Sequence, residues 1–315
     1  MDKKTLAIIA IIVIALVAVG AYFATSGGSS DNVVRIGHLP SDHDTALFVA
    51  KEKKLFEDQG LTVELTQFNN GGDLMTAMAS GDIDIGYAGI TPVMSSISQG
   101  VPVKVVSGAQ IEGSAIVANK NSGITTVADL KGKTVATPGE ATIQNMLLTS
   151  ALTQAGVSTD SVEFTTMKAA QMTDALKAGQ VDAMIIWEPY SSIAVKNGDG
   201  VLIENSSEII PGHPCCCVVA REDFIKDHRD SLDKVLKAHE EATKFTNENP
   251  AEAAKMLPED IVPDQELQAK VIADTVFISG LDAEYKQKVM DFMALEVQLG
   301  LLKQPLTEEQ IFADL

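Results

Sequence analysis

Aromatic residues are scarce. Phe, Trp and Tyr make up 5% of the 315 residues, and Trp187 is the single tryptophan, so an aromatic cage for a cationic ligand has few candidates. Positive charge is also in deficit: 24 Lys and Arg stand against 43 Asp and Glu, a net charge of −19, with no basic run anywhere. Leaving out residues 1–31 removes Lys3, Lys4, Asp2 and Asp31 and does not change that balance. A surface this acidic repels phosphate backbones, which excludes nucleic acid as a partner. Cysteine is confined to Cys215, Cys216 and Cys217. Neighbours in an extended strand rarely reach disulfide geometry, so the chain is not a disulfide scaffold. There is no Gly-x-Ser-x-Gly elbow, no His-Glu-x-x-His pair and no Rossmann glycine fingerprint, which favours binding over turnover.

Hydrophobic residues make up 45% of the chain, ample for a folded core. Lys3 and Lys4 precede an uncharged apolar run over 6–23, followed by Gly27-Gly28-Ser29-Ser30. A spanning helix needs about 20 apolar residues and a signal core about 7–15, so the run reads as an uncleaved membrane anchor. Two lysines before it and none directly after it place the body outside. Ala21 and Ala24 keep a cleaved signal peptide as the alternative, and no Cys follows the run to take a lipid.

From residue 33 short apolar runs alternate with amphipathic ones. Strands are expected over 33–38, 62–68, 83–87, 103–109, 134–137, 161–166 and 183–187, and helices over 44–59, 72–80, 91–99, 141–155, 169–178 and 231–247. That alternation implies parallel sheets covered on both faces, an α/β fold. A faint echo recurs at a spacing of 98: Gly81-Asp82-Ile83-Asp84-Ile85 matches Gly179-Gln180-Val181-Asp182-Ala183, and Pro40 matches Pro138. The echo predicts two lobes of like topology, with residues 32–118 plus 221–315 in one and 119–220 in the other, after an anchor and tether over 1–31. Residues 215–220 are read as the return crossover.

In open α/β sheets ligands bind beyond the carboxyl ends of strands, and helix starts there carry unpaired N–H groups and partial positive charge. Four such edges are expected, at 40–44, 89–92, 138–142 and 187–190. They supply Pro40, Ser41, Asp42, His43, Thr91, Pro138, Gly139, Thr142, Trp187 and Glu188 as ligand-binding residues, joined by Gln110 and Cys215. Ser41 or Asp42 reads equally as a helix cap, and Trp187 as core. Strand alternation would put Cys215 and Cys217 on one face and Cys216 on the other, so structural burial is the favoured role of the triplet. No metal, cofactor or catalytic residue is expected.

Ile36-Gly37-His38-Leu39-Pro40, Ala46-Leu47-Phe48-Val49-Ala50-Lys51-Glu52, Asp129-Leu130-Lys131-Gly132-Lys133, the two Gly-x-x-Asp segments and Trp187-Glu188-Pro189-Tyr190 together make the chain resemble solute-binding proteins of the nitrate/sulfonate/taurine type. Their family is shared with thiamine-pyrimidine synthases, whose cysteine-rich motif the triplet resembles in part. The resemblance covers the chain from Arg35 to about Ala254. It implies a two-lobed type II periplasmic-binding-protein fold, a small-molecule solute held between the lobes, an ABC permease as partner, and a monomer. A synthase-like enzyme and an extracellular sensor subunit are the rival readings.

Overall fold

The computed structural model describes residues 33–315 apart from 260, 262 and 263. The expected anchor at 6–23 and the tether at 27–30 lie outside the described residues. Among the described residues, no helix is long and apolar enough to cross a membrane.

Among the described residues, eleven strands build two sheets. In chain order they are β1 (Val33–His38), β2 (Thr62–Gln67), β3 (Ile85–Gly89), β4 (Val103–Ile111), β5 (Ser114–Asn119), β6 (Thr134–Thr137), β7 (Glu163–Thr166), β8 (Ala183–Trp187), β9 (Gly200–Asn205), β10 (Pro214–Arg221) and β11 (Val276–Phe277). The first sheet has the order β11-β4-β10-β3-β1-β2 and the second β7-β6-β8-β5-β9. Read from β2 and β7, the first five strands of each follow one pattern. β1 answers to β6, β3 to β8, β10 to β5 and β4 to β9.

The repeat extends to single hydrogen bonds. Asp84 N donates to the Arg35 carbonyl, and Asp182 N to the Thr134 carbonyl, both at 2.9 Å. The carbonyls of the same two aspartates accept from Arg221 N (3.1 Å) and Asn119 N (2.8 Å), the last residues of β10 and β5. The side chains repeat as well: Asp84 Oδ2 accepts from Arg35 N at 3.0 Å and Asp182 Oδ2 from Thr134 N at 2.9 Å, which is why both positions call for a short carboxylate before an apolar strand.

The sheets are mixed, not parallel as alternation alone implies. β1–β3, β6–β7 and β6–β8 run parallel, whereas β10 and β5 are antiparallel to their neighbours. β10 and β5 are the strands that arrive from the other sheet, and the short β11 pairs antiparallel with β4 at the edge. The chain leaves the first sheet after β4 through Glu112-Gly113 and returns to it at β10, so the expected lobe limits at 118/119 and 220/221 each lie one strand later than these changeovers.

The helix expected over 44–59 is two helices, Thr45–Glu52 and Leu55–Asp58, because Lys54 takes a left-handed backbone (φ 59°) that the α-helix cannot continue through. Apolar residues of β5 alternate between cores, Ala115 and Val117 facing one and Ile116 and Ala118 the other, as a strand with helices on both faces requires. The long helix Arg229–Glu248 packs on Thr45–Glu52, and Ala283–Gln298 packs on β10.

Candidate functional site

Four helix or turn starts meet at one small cavity. Ser41 caps the 3₁₀ turn Asp42–Asp44, its hydroxyl accepting from His43 N at 3.1 Å. Gly71 opens the helix Gly71–Ser80, Gly89 caps Ile90–Ser98, and Thr142 caps Ile143–Gln154. All four line a cavity of about 20 Å³ together with His43, Trp187, Cys215 and Cys216, a space for about one water or a monatomic ion. Close approach needs glycine at 71: a Cβ there would stand 2.5 Å from Pro92. Among the described residues no Lys or Arg lines the cavity, which holds His43 and the carboxyl of Asp44 beside the helix starts; backbone N–H groups at such starts carry partial positive charge.

Two hydrogen bonds tie the β1 edge to the β8 edge. Trp187 Nε1 donates to the Pro40 carbonyl at 3.2 Å, and the Ser41 hydroxyl donates to the Glu188 carbonyl at 3.3 Å. The two sheets are thereby latched over the cavity.

His43 is held at both ring nitrogens. Its Nε2 lies 2.8 Å from the Gly113 carbonyl, which can only accept, so Nε2 carries a proton. Its Nδ1 faces Cys216 Sγ at 3.5 Å and Cys215 Sγ at 3.6 Å. Burial opposes charging of His43, yet Cys216, Asp42 and the Gly113 carbonyl together raise its pKa. The Cys216 share of that rise needs a thiolate, and the Cys216 thiol is itself pushed well up, by its hydrogen bond to Cys215 and by burial. The pull on His43 near neutral pH therefore comes from Asp42 and Gly113. Asp42 is fully buried, and desolvation raises its pKa to about 7, as it does for Asp44.

The expected face alternation of the cysteines fails. Cys215 and Cys216 lie together, their sulfurs 3.7 Å apart, while Cys217 Sγ donates the other way, to the Ala88 carbonyl. The reason is a break in the β10–β4 register between Pro214 and Cys216, and another between Cys216 and Cys217. An irregularity of this kind re-aims a side chain that strict pleating would send to the opposite face.

Of the residues expected from sequence, Ser41, His43, Thr142, Trp187 and Cys215 line the cavity. Pro40 contributes its carbonyl to the latch. Asp42 turns away and accepts from Gln268 Nε2 at 3.3 Å. Thr91 is buried and donates to Glu296, and Gln110 bonds the carbonyls of Ile111 and Glu112. Gly139 accepts from the Thr142 hydroxyl at 2.7 Å; neither it nor Pro138 lines the cavity. The Glu188 carboxylate is spent on Ser192, accepting from its N–H (3.1 Å) and hydroxyl (2.8 Å), and borders a separate cavity of about 690 Å³.

Sequence reasoning missed Leu39, Gly71, Ile143, Gln144 and Cys216 as lining residues. For Gly71 a signal existed: Asn70 before a glycine pair is a helix cap, with its side chain accepting from Asp73 N.

The fold recurs in solved structures. One described as the alkanesulfonate-binding protein SsuA from Xanthomonas axonopodis pv. citri bound to MOPS superposes with a TM-score of 0.79 at 22% identity, covering 89% of this chain and 98% of that one. Another, the ligand-binding component of an ABC-type import system from Staphylococcus aureus with zinc bound, gives 0.78 at 22% identity, with 90% and 96% covered. By sequence, a putative aliphatic sulfonates-binding protein of Bacillus subtilis is 28% identical over 311 residues, 92% of each chain. A two-sheet periplasmic-binding-protein architecture is thus common to this chain and those structures. The chain belongs to the NMT1-like family, whose model matches residues 27–258.

Proposed function

We propose that this chain is the extracytoplasmic solute-binding component of an ABC importer, working as a monomer that hands a small organic or anionic solute to a membrane permease. The observation that carries this reading is the meeting of four helix or turn starts at a gap latched between two sheets of like strand order. Each sheet forms the core of one lobe, and the lobes part about the crossings at Glu112-Gly113 and the approach to β10, then shut on the solute. A sulfonate head of the kind named for the Bacillus and Xanthomonas relatives suits a gap where several helix starts meet, since their N–H groups bind anions. Residues 6–23 hold the body to the outer membrane face, an orientation supported by Lys3 and Lys4 on their amino-terminal side.

The test is a thermal-shift screen of the full chain against alkanesulfonates, taurine, nitrate, bicarbonate and pyrimidines, followed by calorimetry on each compound that raises the melting temperature. At least one is expected to bind with one-to-one stoichiometry and to shrink the radius of gyration in solution scattering. A body that no compound stabilises, and whose scattering never changes, defeats the reading.

A further inference from the structure

The cluster of His43, Cys215 and Cys216 has a use that solute capture by helix starts does not require. All three are buried, and their donor atoms lie within 4.8 Å of one another. They come from two distant segments, brought together by the turn Asp42–Asp44 and the irregular start of β10. A tetrahedral centre with metal–sulfur bonds of about 2.3 Å and a metal–nitrogen bond of about 2.0 Å has edges of roughly 3.8 Å between sulfurs and roughly 3.5 Å between sulfur and nitrogen. The three edges present are 3.7 Å for Cys215 Sγ to Cys216 Sγ, 3.6 Å for Cys215 Sγ to His43 Nδ1 and 3.5 Å for Cys216 Sγ to His43 Nδ1. They describe one face of such a tetrahedron.

The imidazole is held as a ligand would be. With Nε2–H donating to the Gly113 carbonyl, Nδ1 faces the two sulfurs, and a cation that displaced its proton would meet its lone pair there, the outer-shell arrangement that fixes the tautomer of metal-binding histidines. The fourth vertex faces the cavity, which the same three residues line beside Thr142 and Trp187.

We propose that His43, Cys215 and Cys216 bind a thiophilic cation of the Zn²⁺ class, leaving one coordination position open to the solute cleft. Two thiolates and one imidazole select such a cation over Mg²⁺ or Ca²⁺, which demand oxygen. Binding would release the two thiol protons, so the +2 cation is balanced by two thiolates, and what it offers the cleft is an open Lewis-acid position and not net positive charge. The three-ligand site stands by itself; its open vertex as a solute contact rests on the transport reading.

The test uses the full chain, reduced and stripped of metal by a chelator, then titrated with Co²⁺ as an optical probe. One Co²⁺ per chain is expected, with sulfur-to-cobalt charge-transfer absorption in the near ultraviolet and intense visible bands of tetrahedral geometry, both bleached by Zn²⁺. Cys215→Ala and Cys216→Ala should each weaken binding by at least the roughly 10–100-fold that loss of an outer-shell partner alone costs. Cys217→Ala, whose sulfur faces Ala88, should leave the spectrum unchanged. Absent charge-transfer bands in the parent chain overturn the site, as do bands that persist in the double Cys215→Ala/Cys216→Ala variant. The cysteine variants decide the matter whether or not His43→Gln folds. Solute binding is read separately by calorimetry on the metal-free chain, so failure of the metal site and failure of the transport reading are told apart.

Discussion

His43 Nε2 donates to the carbonyl of Gly113 at 2.8 Å, and Gly113 is the residue at which the chain crosses from β4 in one sheet to β5 in the other. The side chain at the cavity floor is thus bonded to a point about which the two sheets would move. Anything that repositions the imidazole is felt at the crossing, and the reverse holds.

Gly113→Ala tests that coupling. Gly113 has φ +80°, and a Cβ there would stand 2.5 Å from His43 Nε2 and 2.6 Å from Gln110 Nε2. The left-handed backbone alone costs an alanine about 1–2 kcal/mol, and the clash adds to it. The variant should unfold at lower urea concentration and bind its solute more weakly. A variant with unchanged midpoint and affinity would show that the crossing tolerates a side chain and that His43 is not set by it.

Trp187→Phe keeps a ring at the cavity wall and removes the Nε1–H that reaches the Pro40 carbonyl. A net hydrogen bond is worth about 1 kcal/mol, so solute affinity should fall on the order of fivefold. Since the lost bond joins the β1 edge to the β8 edge, the loss should appear in the dissociation rate, measured by stopped flow. An altered association rate with unchanged dissociation would assign Trp187 to packing instead of latching.

Glu188→Ala separates a cap from a ligand contact. The carboxylate accepts from Ser192 N and Oγ across the first turn of Tyr190–Lys196, the geometry by which a side chain satisfies unpaired N–H groups at a helix start. Its removal should cost about 1 kcal/mol of stability and leave solute affinity as it was. Calorimetry showing a tenfold loss of affinity would return Glu188 to the cleft.

The sequence carried the repeat but not its closure. Asp84 and Asp182 are legible because a short acid before an apolar strand, after a helix-ending glycine, is a local pattern that recurs 98 positions on. Gly81 and Gly179 both take positive φ, as that pattern demands. β5 and β9 were illegible because their place depends on pairing with each other and with β8, not on neighbours in the chain. The meeting of Cys215 with Cys216 was illegible for a different reason: a break in register arises from how β10 fits against β4, and alternation along a single strand cannot report it. Glu188 reads as a ligand residue because a carboxylate stands beside a tryptophan at a strand end, and its Ser192 partner four residues further on is not legible from that position.

Glu296→Gln isolates a buried carboxyl. Glu296 is 2% exposed and accepts from the Thr91 hydroxyl; burial raises its pKa to about 7, against the smaller lowering effect of that hydrogen bond. In the unfolded chain the group titrates at its ordinary value near 4.5. Between those values the folded state binds more protons than the unfolded state, so its contribution to stability falls as pH rises through the window. The loss, complete above pH 7, amounts to about 3 kcal/mol at about 1.4 kcal/mol per pH unit. Glutamine keeps an acceptor for Thr91 and cannot ionise. The variant should match the parent near pH 4 and exceed it in urea unfolding at pH 8. Asp42 and Asp44, whose pKa values are raised the same way, and His239, lowered to about 4 by burial, are present in both chains, so the difference reports position 296 alone. Parallel pH curves for parent and variant would mean that Glu296 stays ionised inside the fold.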